Sequence, residues 1–214
     1  MAIDKIASEH NFAPFKQKYK GHFADGKIGD ERVLLLKPQT FMNRSGASVG
    51  AVASFYKIAP KDIIIFYDEL DLMAGKVRVK IGGGNGGHNG LRSIDPVIGK
   101  DYKRVRIGIG RPTHKEQVTH HVLGDFAKSD EEWLGKLIEA GSKNVELLLD
   151  GQDAQFMNKM ALAVNGEKEE KNSKKGKLPA TIENVSAKSK TLKKSNSEKE
   201  SPNQMAKILK NFLN

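Results

Sequence analysis

The chain has 214 residues, 38% of them hydrophobic, and no cysteine. That length supports one domain with a proper core rather than two large ones. Disulfide and thiolate chemistry are excluded, which fits a reducing, cytoplasmic setting. The longest apolar run is Ile63 to Tyr67, and Asp4 and Glu9 interrupt the N-terminal stretch, so neither a signal peptide nor a membrane span is read.

The formal charge of +10 is unevenly spread. Residues 165–214 hold 12 Lys, no Arg and 6 Glu, which is +6 and leaves +4 on residues 1–164. A modest positive balance on a folded domain suits a polyanionic partner such as RNA, although charge by itself does not choose one.

In chain order, Ile3, Ile6 and Ala7 make an apolar stripe at helical spacing, so the chain opens in a helix. Arg32–Lys37 (RVLLLK) reads as a strand. Val49, Val52, Ala53 and Tyr56 then recur at helical spacing, in a helix that Pro60 closes. Asp62–Tyr67 (DIIIFY) reads as a strand buried on both faces, with Asp68 at its C-terminal end. Lys76–Ile81 (KVRVKI) alternates and reads as an edge-like antiparallel strand, followed by a glycine-rich loop at 82–90. Arg104–Ile109 (RVRIGI) is another strand. Ser129 and Glu132 form a capping-box pattern that opens a helix to about Asp150, with Gly151 as its stop, and a last helix covers 153–163. Residues 165–200, rich in Lys, Ser, Glu and Asn, are expected to be disordered, and 201–214 to form a short amphipathic helix with Met205, Ile208, Leu209, Phe212 and Leu213 on one stripe.

Three segments carry the chemistry: Pro38-Gln39-Thr40-Phe41-Met42-Asn43, Asp68-Glu69-Leu70-Asp71-Leu72, and Gly82-Gly83-Gly84-Asn85-Gly86-Gly87-His88-Asn89-Gly90. The first two follow predicted strands directly. In open α/β sheets, polar residues at the carboxyl ends of several strands converge on one site, and Asn43 and Asp68 fit that placement. Gly82, Gly84 and Gly87 also satisfy GxGxxG, but a dinucleotide loop follows a buried parallel strand, whereas KVRVKI alternates. A nucleotide-binding oxidoreductase is therefore set aside and no cofactor is expected. The glycines are read as bringing backbone close to a large ligand and positioning His88 and Asn89.

Together with RVRIGIGRP at 104–112 and HHVLGDF at 120–126, these motifs resemble the bacterial-type peptidyl-tRNA hydrolase family over roughly residues 1–160. The resemblance implies an α/β fold: a single three-layer domain, 1–164, with a mixed, partly parallel twisted sheet flanked by helices. It also implies hydrolysis of the ester joining a peptide to tRNA, in peptidyl-tRNAs that drop off or stall on ribosomes, by a cytoplasmic, monomeric, metal-free enzyme whose partners are peptidyl-tRNA and stalled large ribosomal subunits. Carried over by motif, Asp68 is the carboxylate that orients a catalytic histidine. Asn43 and Asn89 are substrate-binding amides that position the peptide main chain and the attacking water, Asn89 counting with Asp68 as catalytic, with His88 beside them; Phe41 accompanies Asn43 at the tRNA end, and Lys80 and Arg106 hold the acceptor stem. For Asn43 the residues also allow a helix N-cap, and for Lys80 and Arg106 merely solvated strand faces.

The family's opening strand and its GxxNPGxxYxxTRHNxG segment, which supplies the catalytic histidine, have no match within residues 1–214. The expectation is a domain lacking that part, whose own activity would depend on it, with a non-catalytic tRNA-binding relative as the alternative. Of the six histidines only His88 falls near the inferred site, and its place beside Asn89 is read as keeping it from facing Asp68.

Overall fold

The apolar stripe of Ile3, Ile6 and Ala7 winds the first helix, α1 (Ala2–Glu9), and Ile6 and Ala7 are buried. A meander follows: β1 (Lys16–Lys18), β2 (Gly21–Ile28) and β3 (Glu31–Pro38), all antiparallel in the order β1-β2-β3. Lys37 of β3 pairs with Asp4, fastening α1 to this sheet. The computed structural model describes residues 1–166.

The chain then runs through a 3-10 turn, Met42–Arg44, into α2 (Ser45–Tyr56), which ends at Lys57 in the left-handed region, φ 54°, three residues before Pro60. A second sheet is built from β4 (Ile64–Glu69), β5 (Val77–Ile81) and β6 (Lys103–Gly108) in the order β4-β6-β5. β4 runs parallel to β6 and β5 antiparallel to it, so this sheet is mixed, and β5 is the antiparallel edge its alternation predicts. Between β5 and β6 lies α3 (Asn89–Ile98). The chain closes with α4 (Val118–Leu123), α5 (Glu131–Lys143), α6 (Glu146–Leu149) and α7 (Asp153–Asn165).

Helices cover both faces of the strands, giving three layers. On one face Ile6, Ala24, Leu35, Val77, Val105, Leu137, Phe156 and Met160 interlock α1, both sheets, α5 and α7. On the other, Val49, Tyr67, Leu91, Ile94 and Tyr102 join α2 and α3 to the strands. Each fully buried Leu, Phe or Met of these clusters stabilises the fold by about 1.5–3 kcal/mol.

The α/β class holds, with four differences of detail. The strands divide over two three-stranded sheets instead of sharing one. β2, the centre of the first sheet, has no clear alternation in GHFADGKI, because both of its faces are covered: Phe23 packs on the Tyr19 and Tyr56 rings and Ala24 in the core on the other side, while Asp25 and Lys27 are exposed. β4 is half-exposed rather than buried on both faces, since β6 is its one strand partner among the described residues. The helix expected from Ser129 to Asp150 starts at Glu131, where Asp130 rather than Glu132 accepts the backbone N–H of Ala127 (3.2 Å), and it breaks at Asn144. There the Asn144 amide donates to the carbonyl of Ala140 (2.8 Å), and α6 begins separately. Such a local side-chain bond competes with helix continuation. Asn165, the first residue of the expected tail, still belongs to α7; the rest of the tail expectation and the helix at 201–214 lie outside the described residues.

Candidate active site

Asp68 is the penultimate residue of β4, and the strand delivers its carboxylate to the start of α3. The Nε2–H of His88 donates to Asp68 Oδ1 (3.2 Å), while His88 Nδ1 accepts from the backbone N–H groups of Gly90 (3.1 Å) and Leu91 (3.2 Å). Backbone N–H groups only donate, so Nδ1 must carry the lone pair and the proton sits on Nε2, aimed at Asp68. His88 is thus the N-cap of α3 and the partner of Asp68 at once. The His88 hydrogen bond is the main influence on the Asp68 carboxyl and holds it below the ordinary value against the opposing effect of burial. Tyr67 presents its ring at a steep angle to the imidazole, centroids 5.1 Å apart.

This corrects the expectation that His88 cannot face Asp68. The residues are 20 apart in sequence, but α3 begins immediately after His88, and a helix started there points its cap back at the end of β4.

The 3-10 turn that carries Asn43 packs on the same helix start. A side chain on Gly90 would come within 2.8 Å of both Met42 Sδ and the His88 ring, so the missing Cβ lets Met42 settle there. Just beyond, Gly46 donates its N–H to Ser93 Oγ (2.9 Å), and a Cβ at Gly46 would collide with the Ser93 carbonyl. These two contacts bring the Asn43 turn alongside Asn89. Both asparagines are exposed, and none of the hydrogen bonds among the described residues uses either amide. The N-cap role open to Asn43 is not taken up: Arg44 occupies the cap position of α2 and no side chain caps it. Phe41 is 80% exposed and, with Gln39, Thr40 and Arg44, lines an open depression of about 310 Å³.

Lys80 and Arg106 lie on one face of the second sheet, each in register with another cation: Lys80 opposite Arg104, Arg106 opposite Arg78. Facing like charges oppose pairing unless something offsets them. For Arg106 that is Glu69, a buried carboxylate which accepts from Arg106 Nε (3.0 Å) and from the Asp71 N–H (3.2 Å). Arg106 is therefore anchored, not merely solvated.

The sequence reading missed the group that fixes the glycine loop. Arg104 is fully buried; it donates to the Gly84 carbonyl (2.7 Å) and to Asp95 Oδ1 (2.9 Å) and lies over the Tyr102 ring at 4.5 Å. Tyr102 Oη donates to the same Asp95 oxygen (2.7 Å), and its phenol is held well above the ordinary range, first by burial and then by that bond. One guanidinium thus ties the loop (Gly84), α3 (Asp95) and β6 together. The signal available was period 2: Arg104 shares a strand face with Arg106, and that face is covered by α3.

A carboxylate bonded to an imidazole at a strand end, two unengaged amides beside it and a cationic sheet face are groups of the kind an α/β hydrolase uses. The chain belongs to the peptidyl-tRNA hydrolase family, whose sequence profile matches residues 1–173. It is 57% identical to the peptidyl-tRNA hydrolase of Chelativorans sp. strain BNC1 over 166 residues, 78% of this chain and 70% of that protein. It is 55% identical to that of Sinorhizobium fredii over the same length. The crystal structure of peptidyl-tRNA hydrolase from Acinetobacter baumannii superposes with a TM-score of 0.69 at 42% identity, covering 74% of this chain and 82% of that one. No helix among the described residues is long and apolar enough to cross a membrane.

Proposed function

We propose that the chain acts as its family name states, hydrolysing the ester of peptidyl-tRNA, with Asp68, Asn43 and Asn89 as its active-site groups. The observation that carries this reading is the Asp68–His88 contact at the end of β4, with the helix start and the Asn43 turn packed around it. Ester hydrolysis by water needs a base, a group that orients it, and donors for the developing oxyanion. Asp68, held ionised, is suited to orient an imidazole. The unengaged amides of Asn43 and Asn89 can donate and accept along a peptide main chain. Phe41 offers an exposed ring for the terminal base, and Lys80 with Arg106 suits a phosphate, the Glu69 bond fixing the Arg106 fork in place.

His88 is an awkward base as it stands. Its Nε2 carries the proton and its Nδ1 lone pair is taken by two helix N–H groups, so accepting a proton from water would require breaking the cap. The family resemblance gives the base role to a histidine of the GxxNPGxxYxxTRHNxG segment, leaving His88 to orient Asp68 and the start of α3.

The test is release of a blocked amino acid from its tRNA, by the 214-residue chain and by a version preceded by that segment. Cleavage by the preceded version that falls about 10²–10⁴-fold in Asp68→Ala, with tRNA affinity nearly kept, is the expected outcome. Unchanged turnover in Asp68→Ala would sink the assigned role. Cleavage by the 214-residue chain that is lost in His88→Ala would move the base to His88.

A further inference from the structure

Four aromatic rings gather at the far end of α2, away from the site. Tyr19 lies 5.2 Å from Phe23, 5.5 Å from Phe55 and 6.0 Å from Tyr56, while Phe23 stacks on Tyr56 at 5.7 Å. Phe23 is core, but Phe55 is 67% exposed. Tyr19 and Lys20 form the two-residue turn between β1 and β2, both with positive φ (54° and 57°). Asparagine and glycine favour such a turn, and a bulky side chain there is strained. The strain is offset locally: Ser48 Oγ donates to the Tyr19 carbonyl (2.7 Å) and the Gln39 N–H to the Lys20 carbonyl (3.0 Å). The backbone is thus held in a costly shape that keeps an aromatic and a lysine at the tip of the hairpin.

Cations surround the rings. Lys16 and Lys18, both exposed, stand in register with Phe23 and Gly21 and so share the face of Phe23. Lys20 is in the turn, and Lys57 follows Tyr56 directly. Among the described residues none of these four lysines has a carboxylate at ion-pair distance. Arg32 lies 5.6 Å from the Tyr56 ring centre and is paired with Asp25. An open ring flanked by lysines one strand period apart, about 6.6 Å, is the equipment for stacking a base and following its phosphates. An acidic peptide would use the charges but not the ring face.

We propose that the Tyr19–Phe55–Tyr56 cluster and Lys16, Lys18 and Lys57 form a second RNA contact, which binds unpaired nucleotides about 18 Å, the length of α2, from the Asn43 turn. The inference rests on stacking and charge, not on the ester-hydrolase reading, and either can fail alone. In a Trp133→Phe background, which removes the chain's one native indole, Phe55→Trp places a single fluorophore on the patch, and its emission reports stacking independently of cations elsewhere in the chain. Titrating the full chain with a uridine decamer should quench that emission, and the quench should weaken as salt rises. Adding Lys16→Gln, Lys18→Gln and Lys57→Gln should weaken the titration about tenfold and reduce the slope of log affinity against log salt by about 2. An unchanged emission while a labelled decamer saturates the protein, or a titration indifferent to the three lysines, overturns the proposal. Quenching by an acidic decapeptide but not by RNA overturns it too and assigns the patch to protein. Ester cleavage measured beside these titrations reports on the active site separately.

Discussion

The loop at 82–88 and the segment at 111–129 differ in a way opposite to their composition. The first is mostly glycine, with Gly83 and Gly87 at φ 95° and 82°, yet Arg104 grips it from a fully buried position and His88 caps the helix it leads into. The second has one glycine and short helical pieces, yet its side chains are almost all exposed; Leu123 is 79% exposed. Its ties are Arg111 to Asp71 (2.7 Å), the His121 ring to the carbonyls of Ile109 and Gly110 (3.1 Å each), the Ala127 N–H to Asp130 (3.2 Å) and the Phe126 ring against Trp133 (6.0 Å), none of them with a fully buried partner. What holds a segment is thus not read from its glycine content: the glycine loop is tied at Gly84 to a fully buried cation, whereas the segment after β6 has no such buried anchor among the described residues.

The sharpest way to break this comparison is to remove one half of the buried pair. Asp95→Ala leaves Arg104 buried and unpaired, and should cost about 3–5 kcal/mol in urea unfolding, with faster hydrogen exchange across 82–91 than elsewhere. Replacing both, Arg104→Met with Asp95→Leu, should cost distinctly less; an equal loss would mean that packing rather than charge holds the loop. Next in size, His88→Ala removes the cap of α3 and should cost about 0.5–2 kcal/mol. Its signature is that the Asp68 carboxyl returns toward its ordinary value, which carboxyl-detected NMR would register.

The pH response follows from the same bond. Because Asp68 titrates below its unfolded value, its contribution to stability is complete above the ordinary carboxylate range and is lost as pH falls through the depressed native value. Asp68→Asn should flatten the acid limb of stability against pH, and an unaltered limb would show that other carboxylates dominate it. Smallest of all, His121→Ala at the surface should change global stability by less than about 0.5 kcal/mol, while raising proteolytic nicking between Arg111 and Lys128.

Much of this was legible in the residues. The order β3, α2, β4, β5, β6 follows from periodicity, and the three motifs mark the turn, the strand end and the loop that form the site. α3 was not, because NGLRSIDPVI follows a glycine run and contains Pro96, both of which read as loop. The Asp68–His88 contact was also hidden, since it joins a strand end to a helix start and depends on where that helix begins. Arg104 was read only as the first residue of a strand; the placement of α3 over that face makes it a buried anchor.

Gly46 has a consequence for how the two halves of the site are spaced. Asn43 and Asn89 arrive on different helices, and the gap between those helices is set where Gly46 meets the Ser93 carbonyl with no side chain between them. The separation of the two amides is thus gauged by a residue that contributes nothing but its absence. Gly46→Ala, a single methyl that meets the Ser93 carbonyl, would act as a shim that moves the two amides apart while leaving both side chains chemically intact.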